Sequence, residues 1–434
     1  MVAVLLALSI PAVLWLHPFG SQVVFAQTSS FTAQSVSSQF MTEFSLGPNS
    51  LPNAISADSA GDLWFTMAHG YAVAELMPTN GTVRVFVVPD QNGTLVSWGI
   101  ARDPTGKVWL TDETCNCIRS LDPVTGAFTT YPLPTLDSIP YALAIDASGN
   151  VWFTELGVAK IGEITSGGTL KEYPIPAQNP SLVGPAGILV RNGVVWFDEV
   201  YDNKIASFAD GTFRQYQLNE SAPTGLAMDP FGDLWTTLHG GSTILELDPH
   251  NNSTTVISTS IIGVQETLPY FIQVDSAGNI WFNEHYGNAI AKFDPSTSTL
   301  VEYEIPTRVQ SLGNISGALT MTLDASGRPW FTEFYSGKIG TVNITAPIQT
   351  SVAVVNSTRD TSRLVARLQV ISTQSTLLSA SSPNPGVTFS FSQPSGVGSY
   401  LSTLTVSSLP SGSFSLTISA ITPDVVCSVT LQSP

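Results

Sequence analysis

Charge is what this 434-residue sequence has least of. Only 11% of its residues are charged, with 16 Lys and Arg against 33 Asp and Glu, which gives a net charge of −17. Globular domains usually carry about a quarter charged residues. A surface this poor in cations argues against a protein that binds nucleic acid through its phosphates. We expect Ser, Thr, Asn and Gly to supply most of the polar surface.

Cysteine is scarce as well. The three cysteines, Cys115, Cys117 and Cys427, are too few and too unevenly placed for a disulfide framework. Cys115 and Cys117 flank a single residue, so they are either isolated thiols or one local bridge. The sequence around them offers no partners for a metal site.

Long apolar runs are missing after the N-terminus. The chain begins with the apolar run MVAVLLALSIPAVLWL, and Val24-Phe25-Ala26 before Gln27 resembles a cleavage site. Together these features predict a signal peptide over residues 1–26 and an exported protein. A retained membrane anchor is the alternative, although the run is short for a span. Eight Asn-x-Ser/Thr sites fit a glycosylated exterior protein; they begin at Asn80, Asn92, Asn219, Asn251, Asn252, Asn314, Asn343 and Asn356.

The sequence also contains a clear internal repeat. Seven tryptophans follow one another at intervals of 39 to 49 residues, each within a near-copy of one phrase, such as DASGNVWFTE (146–155). They are Trp64, Trp109, Trp152, Trp196, Trp235, Trp281 and Trp330. A period of this length with a turn and an aromatic strand in each copy is typical of β-propeller blades. A tryptophan repeated in every blade is expected to pack in the core rather than to bind a ligand.

The sixth copy serves as the template for one blade. Short strands are predicted at 268–275, 279–284, 289–294 and 300–306, with an Asp-Ser-Ala-Gly turn between the first two. The seventh copy has no outer strand of its own after Ile339. Because MTEFSL (41–46) reads like one, we predict that it pairs with the last blade and closes the ring.

The pattern changes after Thr345. Tryptophan disappears, and Ser- and Thr-rich alternation with Pro and Gly turns predicts a small β-sandwich over 350–434. Its phrases resemble immunoglobulin-like modules of prokaryotic surface proteins. The predicted fold is therefore all-β: a seven-bladed β-propeller over 40–345, closed by an N-terminal strand and followed by an immunoglobulin-like β-sandwich.

The phrases GNVWFTE, AKIGEI and KEYPIP resemble the repeats of the virginiamycin B lyase, or streptogramin lyase, family across about 41–345. The resemblance implies a seven-bladed propeller that opens a cyclic depsipeptide by elimination, with Mg²⁺ and a histidine base. It places a histidine after the proline of the inner strand in the last two blades, and two glutamates near the final histidine. This sequence departs at each of those positions, which are occupied by Tyr270, Leu319, Gly317 and Phe334.

Two groups of residues are candidates for a site. His239 and His285 each lie four residues after a blade tryptophan, and with Glu284 and Glu333 they could hold a divalent ion. In that interpretation His285 and Glu284 are the catalytic pair; otherwise both histidines are exposed loop residues. Aromatic residues at inner-strand starts predict a ligand funnel, or a plain lining of the ring entrance. The funnel residues are Trp98, Tyr141, Tyr270 and Asn53.

Three functions remain open from the sequence. The first is a secreted or surface-attached monomer that binds a small molecule, glycan or peptide at the funnel and is attached to the cell surface through its C-terminal module. The second is a lyase or hydrolase with a relocated site, for which the resemblance implies Mg²⁺. The third is a lactonase-like propeller with a central metal held by Glu, Asn and Asp, for which Asn53 and Asn283 are available.

Overall fold

The computed structural model is almost entirely β-structure. It describes residues 22–25, 27–37, 40–89, 94–220, 222–259, 266–345, 350–359, 363–384, 386–409, 414–422 and 425–433. In these ranges two short 3-10 turns, Pro180–Leu182 and Gln310–Leu312, are the helical elements. None of the helical segments described is long and apolar enough to cross a membrane.

Seven antiparallel sheets, which we call blades 1 to 7, follow one another along the chain. Four N-terminal strands come first: β1 Gln22–Phe25, β2 Gln27–Thr32, β3 Gln34–Ser37 and β4 Met41–Ser45. Blade 1 contains β5 Pro52–Ala57, β6 Leu63–Met67, β7 Ala72–Met77 and β8 Thr82–Val87. Blade 2 contains β9 Ile100–Arg102, β10 Val108–Asp112, β11 Cys117–Asp122 and β12 Ala127–Pro132. Blade 3 contains β13 Pro140–Ile145, β14 Val151–Glu155, β15 Lys160–Ile164 and β16 Leu170–Pro174.

The remaining blades repeat the same order. Blades 4 and 5 are β17 Pro185–Arg191, β18 Val194–Glu199, β19 Lys204–Ala209, β20 Thr212–Gln217; and β21 Pro223–Met228, β22 Leu234–Leu238, β23 Thr243–Asp248, β24 Ser253–Ser258. Blades 6 and 7 are β25 Pro269–Val274, β26 Ile280–Glu284, β27 Ala289–Asp294, β28 Thr299–Glu304; and β29 Ala318–Leu323, β30 Pro329–Glu333, β31 Lys338–Val342. Strand order in each sheet follows the chain, as expected for a meander.

Blade 7 is completed by the N-terminus. Strand β4 pairs with β31, with Phe44 opposite Ile339 and Met41 opposite Val342. The prediction that 41–46 closes the ring is therefore confirmed. Because β4 precedes blade 1 in the chain but pairs within the sheet of blade 7, it joins the two ends of the ring and covers the edge of β31.

The repeated turn and tryptophan are joined by a hydrogen bond that the sequence analysis did not foresee. In blade 6, Asp275 Oδ1 accepts from the backbone N–H groups of Ala277 and Asn279, while Oδ2 accepts from Trp281 Nε1 at 3.0 Å. Five other blades repeat the indole bond; the pairs are Asp58–Trp64, Asp103–Trp109, Asp146–Trp152, Asp229–Trp235 and Asp324–Trp330. One carboxylate thus stabilises the turn and fixes the indole that packs between blades.

Neighbouring blades are joined by polar side chains on the second strands of blades 2, 3, 5 and 6. Thr154 Oγ1 donates to the carbonyl of Ala186 in the next blade at 2.7 Å, and Thr237 Oγ1 donates to that of Tyr270 at 2.6 Å. Thr111 does the same toward Tyr141. These bonds satisfy inner-strand carbonyls that would otherwise be buried without a partner.

The N-terminal segment extends three blades outward. Strands β1, β2 and β3 pair with β12, β8 and β4 at the outer edges of blades 2, 1 and 7. The predicted signal peptide falls mostly outside the described residues, which begin at Gln22. Cys115, in the turn after β10, and Cys117, the first residue of β11, form a disulfide, which is the local bridge considered from the sequence.

The C-terminal strands share a core of their own. They are β32 Thr350–Arg359, β33 Arg363–Ser381, β34 Thr388–Phe391, β35 Ser395–Ser407, β36 Phe414–Ile421 and β37 Val425–Ser433. Leu368, Val370, Leu404 and Ile418 are among its buried residues. Strand β37 also pairs with β28, so this unit continues the sheet of blade 6. The immunoglobulin-like assignment remains a prediction.

Candidate functional site

The innermost strand of each blade begins at the same end of the ring, where the second strand ends. We call this end, with its loops, the hub face. Equivalent positions at the strand starts carry Asn53, Trp98, Tyr141, Ala186, Thr224, Tyr270 and Leu319. No two blades except 3 and 6 share a residue there, in contrast to the repeated turns at the opposite end.

Tyr141 and Tyr270 meet across the hub. Both are buried, and their hydroxyl groups hydrogen-bond each other although they belong to blades 3 and 6. Trp98 stacks on Tyr141 with ring centroids 5.5 Å apart and meets Tyr270 edge-on at 5.9 Å. Burial, with the charge of Asp198 and Tyr201, raises the pKa of Tyr270 to about 12. These residues therefore form an aromatic plug at the hub.

Asn53 and Asn283 are engaged in joining blades. Asn53 Nδ2 donates to the carbonyl of Ser97 at 2.7 Å, and its Oδ1 is buried without a hydrogen-bond partner. Asn283 accepts from the N–H of Phe271 and donates to the carbonyls of Ala318 and Leu319. With both amides buried in these contacts, the lactonase-like metal set predicted from them gains no support.

His239 and His285 lie beside the aromatic plug. Their ring centroids are 6.3 Å apart, and those of His239 and Tyr270 are 4.9 Å apart. Burial, followed by the charge of His239, lowers the pKa of His285 to about 4, and burial also lowers that of His239. Both shifts favour the neutral imidazole, and His285 Nδ1 has no hydrogen-bond partner among the described residues.

Glu284 and Glu333 do not join these histidines in a compact cluster. Glu284 neighbours Glu302 of the fourth strand of blade 6, and Glu333 neighbours Glu43 of the fourth strand of blade 7. Three groups of His, Cys, Asp or Glu among the described residues bring three ligand atoms within 4.8 Å, and none includes His239, His285, Glu284 or Glu333. The predicted four-residue metal site is not assembled in this arrangement.

Three exposed tyrosines stand at one equivalent position on the hub face. Tyr201, Tyr286 and Tyr335 each lie two residues after the glutamate that ends the second strand, in blades 4, 6 and 7, and are 47%, 59% and 37% exposed. The Tyr201 ring covers Gly184, and the Tyr335 ring covers Gly317. Both glycines have positive φ, and a Cβ there would lie within 2.5 Å of the ring, so glycine lets each tyrosine lie flat. These three tyrosines were not among the predicted site residues, although their constant spacing from the blade glutamate is visible in the sequence.

Asp198 occupies the place of the threonine or asparagine that links the other blades. Its Oδ1 accepts from the N–H of Gly187 at 3.0 Å, but Oδ2 is buried without a partner. A Cβ placed on Gly187 would lie 2.6 Å from Asp198 Oδ2 and 3.2 Å from the carbonyl oxygen of Thr224. The two oxygens therefore face the same small space beside Gly187. Burial raises the pKa of Asp198 well above its usual value. A protonated carboxyl could donate to that carbonyl as the threonines do.

Seven radial antiparallel sheets with a closing N-terminal strand define a β-propeller. Within this class, the chain belongs to the virginiamycin B lyase family, whose model matches residues 26–193 and 183–359. A virginiamycin B lyase from Nocardia farcinica (strain IFM 10152) is 29% identical over 168 residues. That match covers 38% of this chain and 57% of the relative, so the chain spans little more than half of that protein.

Solved structures agree with this assignment. A streptogramin B lyase is 28% identical, with a TM-score of 0.62 over 70% of this chain and 97% of that one. A catalytically inactive histidine variant of virginiamycin B lyase from Staphylococcus aureus, solved with quinupristin, is 22% identical with a TM-score of 0.61. It covers 73% of this chain and 99% of that one, and its likeness shows the fold alone.

The Mg²⁺ that the family implies does not fit the residues at this hub. Mg²⁺ prefers oxygen ligands in octahedral geometry. Around Tyr270 the hub offers two neutral imidazoles, while the nearby glutamates belong to separate pairs within blades 6 and 7. We therefore derive no chemical step through a metal at this place.

Proposed function

We propose that this chain is a ligand-binding member of the family, which holds a neutral, ring-bearing ligand on the hub face without opening it. The observation that carries the proposal is the set of equivalent exposed tyrosines, Tyr201, Tyr286 and Tyr335, around an aromatic plug. Aromatic rings provide large contact area at low conformational cost and stack on other rings. Cyclic depsipeptides are the first class to test, because a related propeller was solved with quinupristin.

The proposal of binding without elimination rests on the chemistry of the hub. A general base works best when its pKa lies near the working pH. Tyr270 stands where the resemblance implies a histidine, yet its pKa is raised to about 12 and its hydroxyl is engaged with Tyr141. Leu319, at the second such position, has no titratable group. Neither residue can take the proton that the family's reaction removes.

A relocated lyase site is the second candidate. His239 and His285 are neutral and lie beside Tyr270, so either imidazole could accept a proton from a ligand on the hub face. This alternative predicts a linear product, whereas the binding proposal predicts an unchanged ring.

The test is a calorimetric titration of the full chain with a streptogramin B depsipeptide. Tyr201→Ala, Tyr286→Ala and Tyr335→Ala should each weaken binding about 5- to 30-fold, as buried aromatic anchors do. Phe231→Ala is the matched control, because Phe231 is 85% exposed in the turn between β21 and β22, at the opposite end of the ring. Absence of binding, or equal affinity in all four variants, would contradict the proposal. A glycan that binds in place of the depsipeptide would leave the site correct and the ligand class wrong.

Export and surface attachment belong to the same proposal. The leader and the eight acceptor sites support an exterior protein, and six acceptor asparagines are exposed: Asn80, Asn219, Asn251, Asn252, Asn314 and Asn356. N-terminal sequencing of protein secreted by the host tests whether cleavage follows Ala26. Retention of residues 1–26 would favour the membrane anchor.

A further inference from the structure

A buried glutamate ends the second strand of four blades: Glu155, Glu199, Glu284 and Glu333. The strand register places two further positions around it. The first is directly opposite, at the start of the third strand, and carries Lys160, Lys204, Ala289 and Lys338 in the same order. The second position is on the fourth strand of the blade, where it pairs with the third residue of the third strand. In the same blade order it carries Glu172, Gln215, Glu302 and Glu43.

Blades 3 and 7 place a lysine ammonium at this point. In blade 3, Lys160 Nζ lies 2.6 Å from Glu172 Oε2 and 2.6 Å from Thr135 Oγ1. In blade 7, Lys338 Nζ lies 2.7 Å from Glu43 Oε2 and 2.6 Å from Thr307 Oγ1. The two arrangements match atom for atom, with a carboxylate and a threonine hydroxyl around one cation.

Blade 4 meets the same requirement with an amide. Gln215 replaces the fourth-strand glutamate, and its Nε2 donates to Glu199 Oε1 at 2.7 Å. In each of these three blades a nitrogen donor therefore lies beside one of the two side chains, although both oxygens of Glu155 stay without a hydrogen-bond partner among the described residues.

Blade 6 has the carboxylates but no cation. Ala289 stands where the lysines are, and both Glu284 and Glu302 are buried, at 0% and 2% exposure. All four of their carboxylate oxygens lack a hydrogen-bond partner among the described residues. An unpaired buried carboxylate is costly, so either a shared proton, which the raised pKa values of both groups favour, or a bound cation is expected here.

More oxygen atoms surround this carboxylate pair. The buried hydroxyls of Thr259 and Thr267 hydrogen-bond each other at 2.7 Å and lie near Glu284, where they favour its ionised form without the geometry of a hydrogen bond. The two carboxylates and two hydroxyls together offer six oxygens. Between Thr259 and Thr267, residues 260–265 have the sequence SIIGVQ, which contains no Lys or Arg.

We propose that blade 6 binds one Ca²⁺ between Glu284 and Glu302, at the place where blades 3 and 7 hold a lysine ammonium. Ca²⁺ accepts six to eight oxygen ligands in flexible geometry, whereas Mg²⁺ keeps several waters that a buried site would exclude. Two negative charges balance one divalent cation. Glu302 is on the outer strand and lies opposite Val426 of β37, and no compact group among the described residues joins Glu284 to His239 or His285.

The experiment compares thermal unfolding of the full chain after EGTA dialysis and after addition of CaCl2. Saturating Ca²⁺ should raise the Tm of the wild type by about 2–5 °C, as expected for a ligand that binds only the folded state. Calorimetry should give one site per chain. Glu302→Gln should lose both responses, because it removes one charge and keeps the shape.

Ala289→Lys is the complementary variant, and it does not remove a polar group. It should reproduce the ammonium of blades 3 and 7, raise the Tm without Ca²⁺ and abolish the Ca²⁺ response. Glu246→Gln is the control, because Glu246 belongs to another acidic cluster, with Asp229 and Asp233, and should respond like the wild type. Two results would overturn the proposal. The first is a wild-type Tm that Ca²⁺ does not change, which would mean that the two carboxyls share a proton. The second is a full increase in Tm with Ca²⁺ in Ala289→Lys.

Discussion

The blade bodies and the hub face of this propeller differ in how far their residues repeat from blade to blade. Six blades repeat one aspartate–indole bond, and three blades repeat a threonine that donates to the next inner strand. The start of the inner strand, by contrast, carries six residue types in seven blades. The residues that every blade needs for packing are repeated, whereas the residues free to differ gather on one face. That face is where a function distinct from the shared fold can reside.

The largest expected effect comes from removing a repeated tryptophan. Trp235 is fully buried between blades, so Trp235→Ala should lower the free energy of unfolding by about 3–5 kcal/mol. Trp98→Ala at the hub should cost only about 1–2 kcal/mol, because Trp98 is partly exposed and mainly stacks on Tyr141. Denaturant unfolding of both variants measures the difference. Equal losses would remove the distinction between body and hub.

The repeated aspartate should come next. Asp275→Ala removes acceptors for two backbone N–H groups and for the Trp281 indole, and should cost about 1–3 kcal/mol in unfolding free energy. Denaturant unfolding is again the measurement. Asp294→Ala, which alters an exposed turn within the same blade, is the control and should cost less.

The tyrosine bridge is a smaller test, made at the hub. Tyr141→Phe leaves the buried Tyr270 hydroxyl without its partner and should cost about 1–2 kcal/mol. The double variant with Tyr270→Phe should regain part of that loss, since both polar atoms are then gone. A double-mutant cycle by thermal unfolding measures the coupling, and an additive result would show that the two hydroxyls do not interact.

Asp198 should show itself in the pH dependence of stability rather than as a loss at one pH. Its folded pKa is raised, so its contribution to stability is present at low pH and is lost as pH rises from about 4 through the folded value. Asp198→Asn keeps a donor for the neighbouring carbonyl and should make the stability profile flatter. At pH 8 the variant should be the more stable of the two proteins. Parallel profiles for both proteins from pH 5 to 8 would show that Asp198 is ionised in the fold.

The sequence predicted the repeated parts of the fold well. The period and the Asp-to-Gly turns gave the strands of each blade, and MTEFSL was recognised as the closing strand because blade 7 lacked one. The Asp-to-Trp hydrogen bond could have been predicted, because the tryptophan lies six positions after the aspartate in both Asp275–Trp281 and Asp58–Trp64.

Contacts between distant, unrepeated segments could not be predicted. The pairing of β37 with β28 joins residues more than 120 positions apart, and the Tyr141–Tyr270 bridge spans 129. No local pattern encodes either contact. For the same reason the burial of Tyr141, Tyr270 and Asn53, which the sequence predicted as funnel residues, was not foreseen.

Whether the hub face binds a depsipeptide without opening it can be measured directly. The full chain is incubated with a streptogramin B depsipeptide and MgCl2, and the cyclic and linear forms are separated by chromatography, since elimination leaves the mass unchanged. We expect saturable binding and recovery of the cyclic form alone. Accumulation of the linear isomer, lost in His285→Ala, would show that this propeller is a lyase with a relocated base.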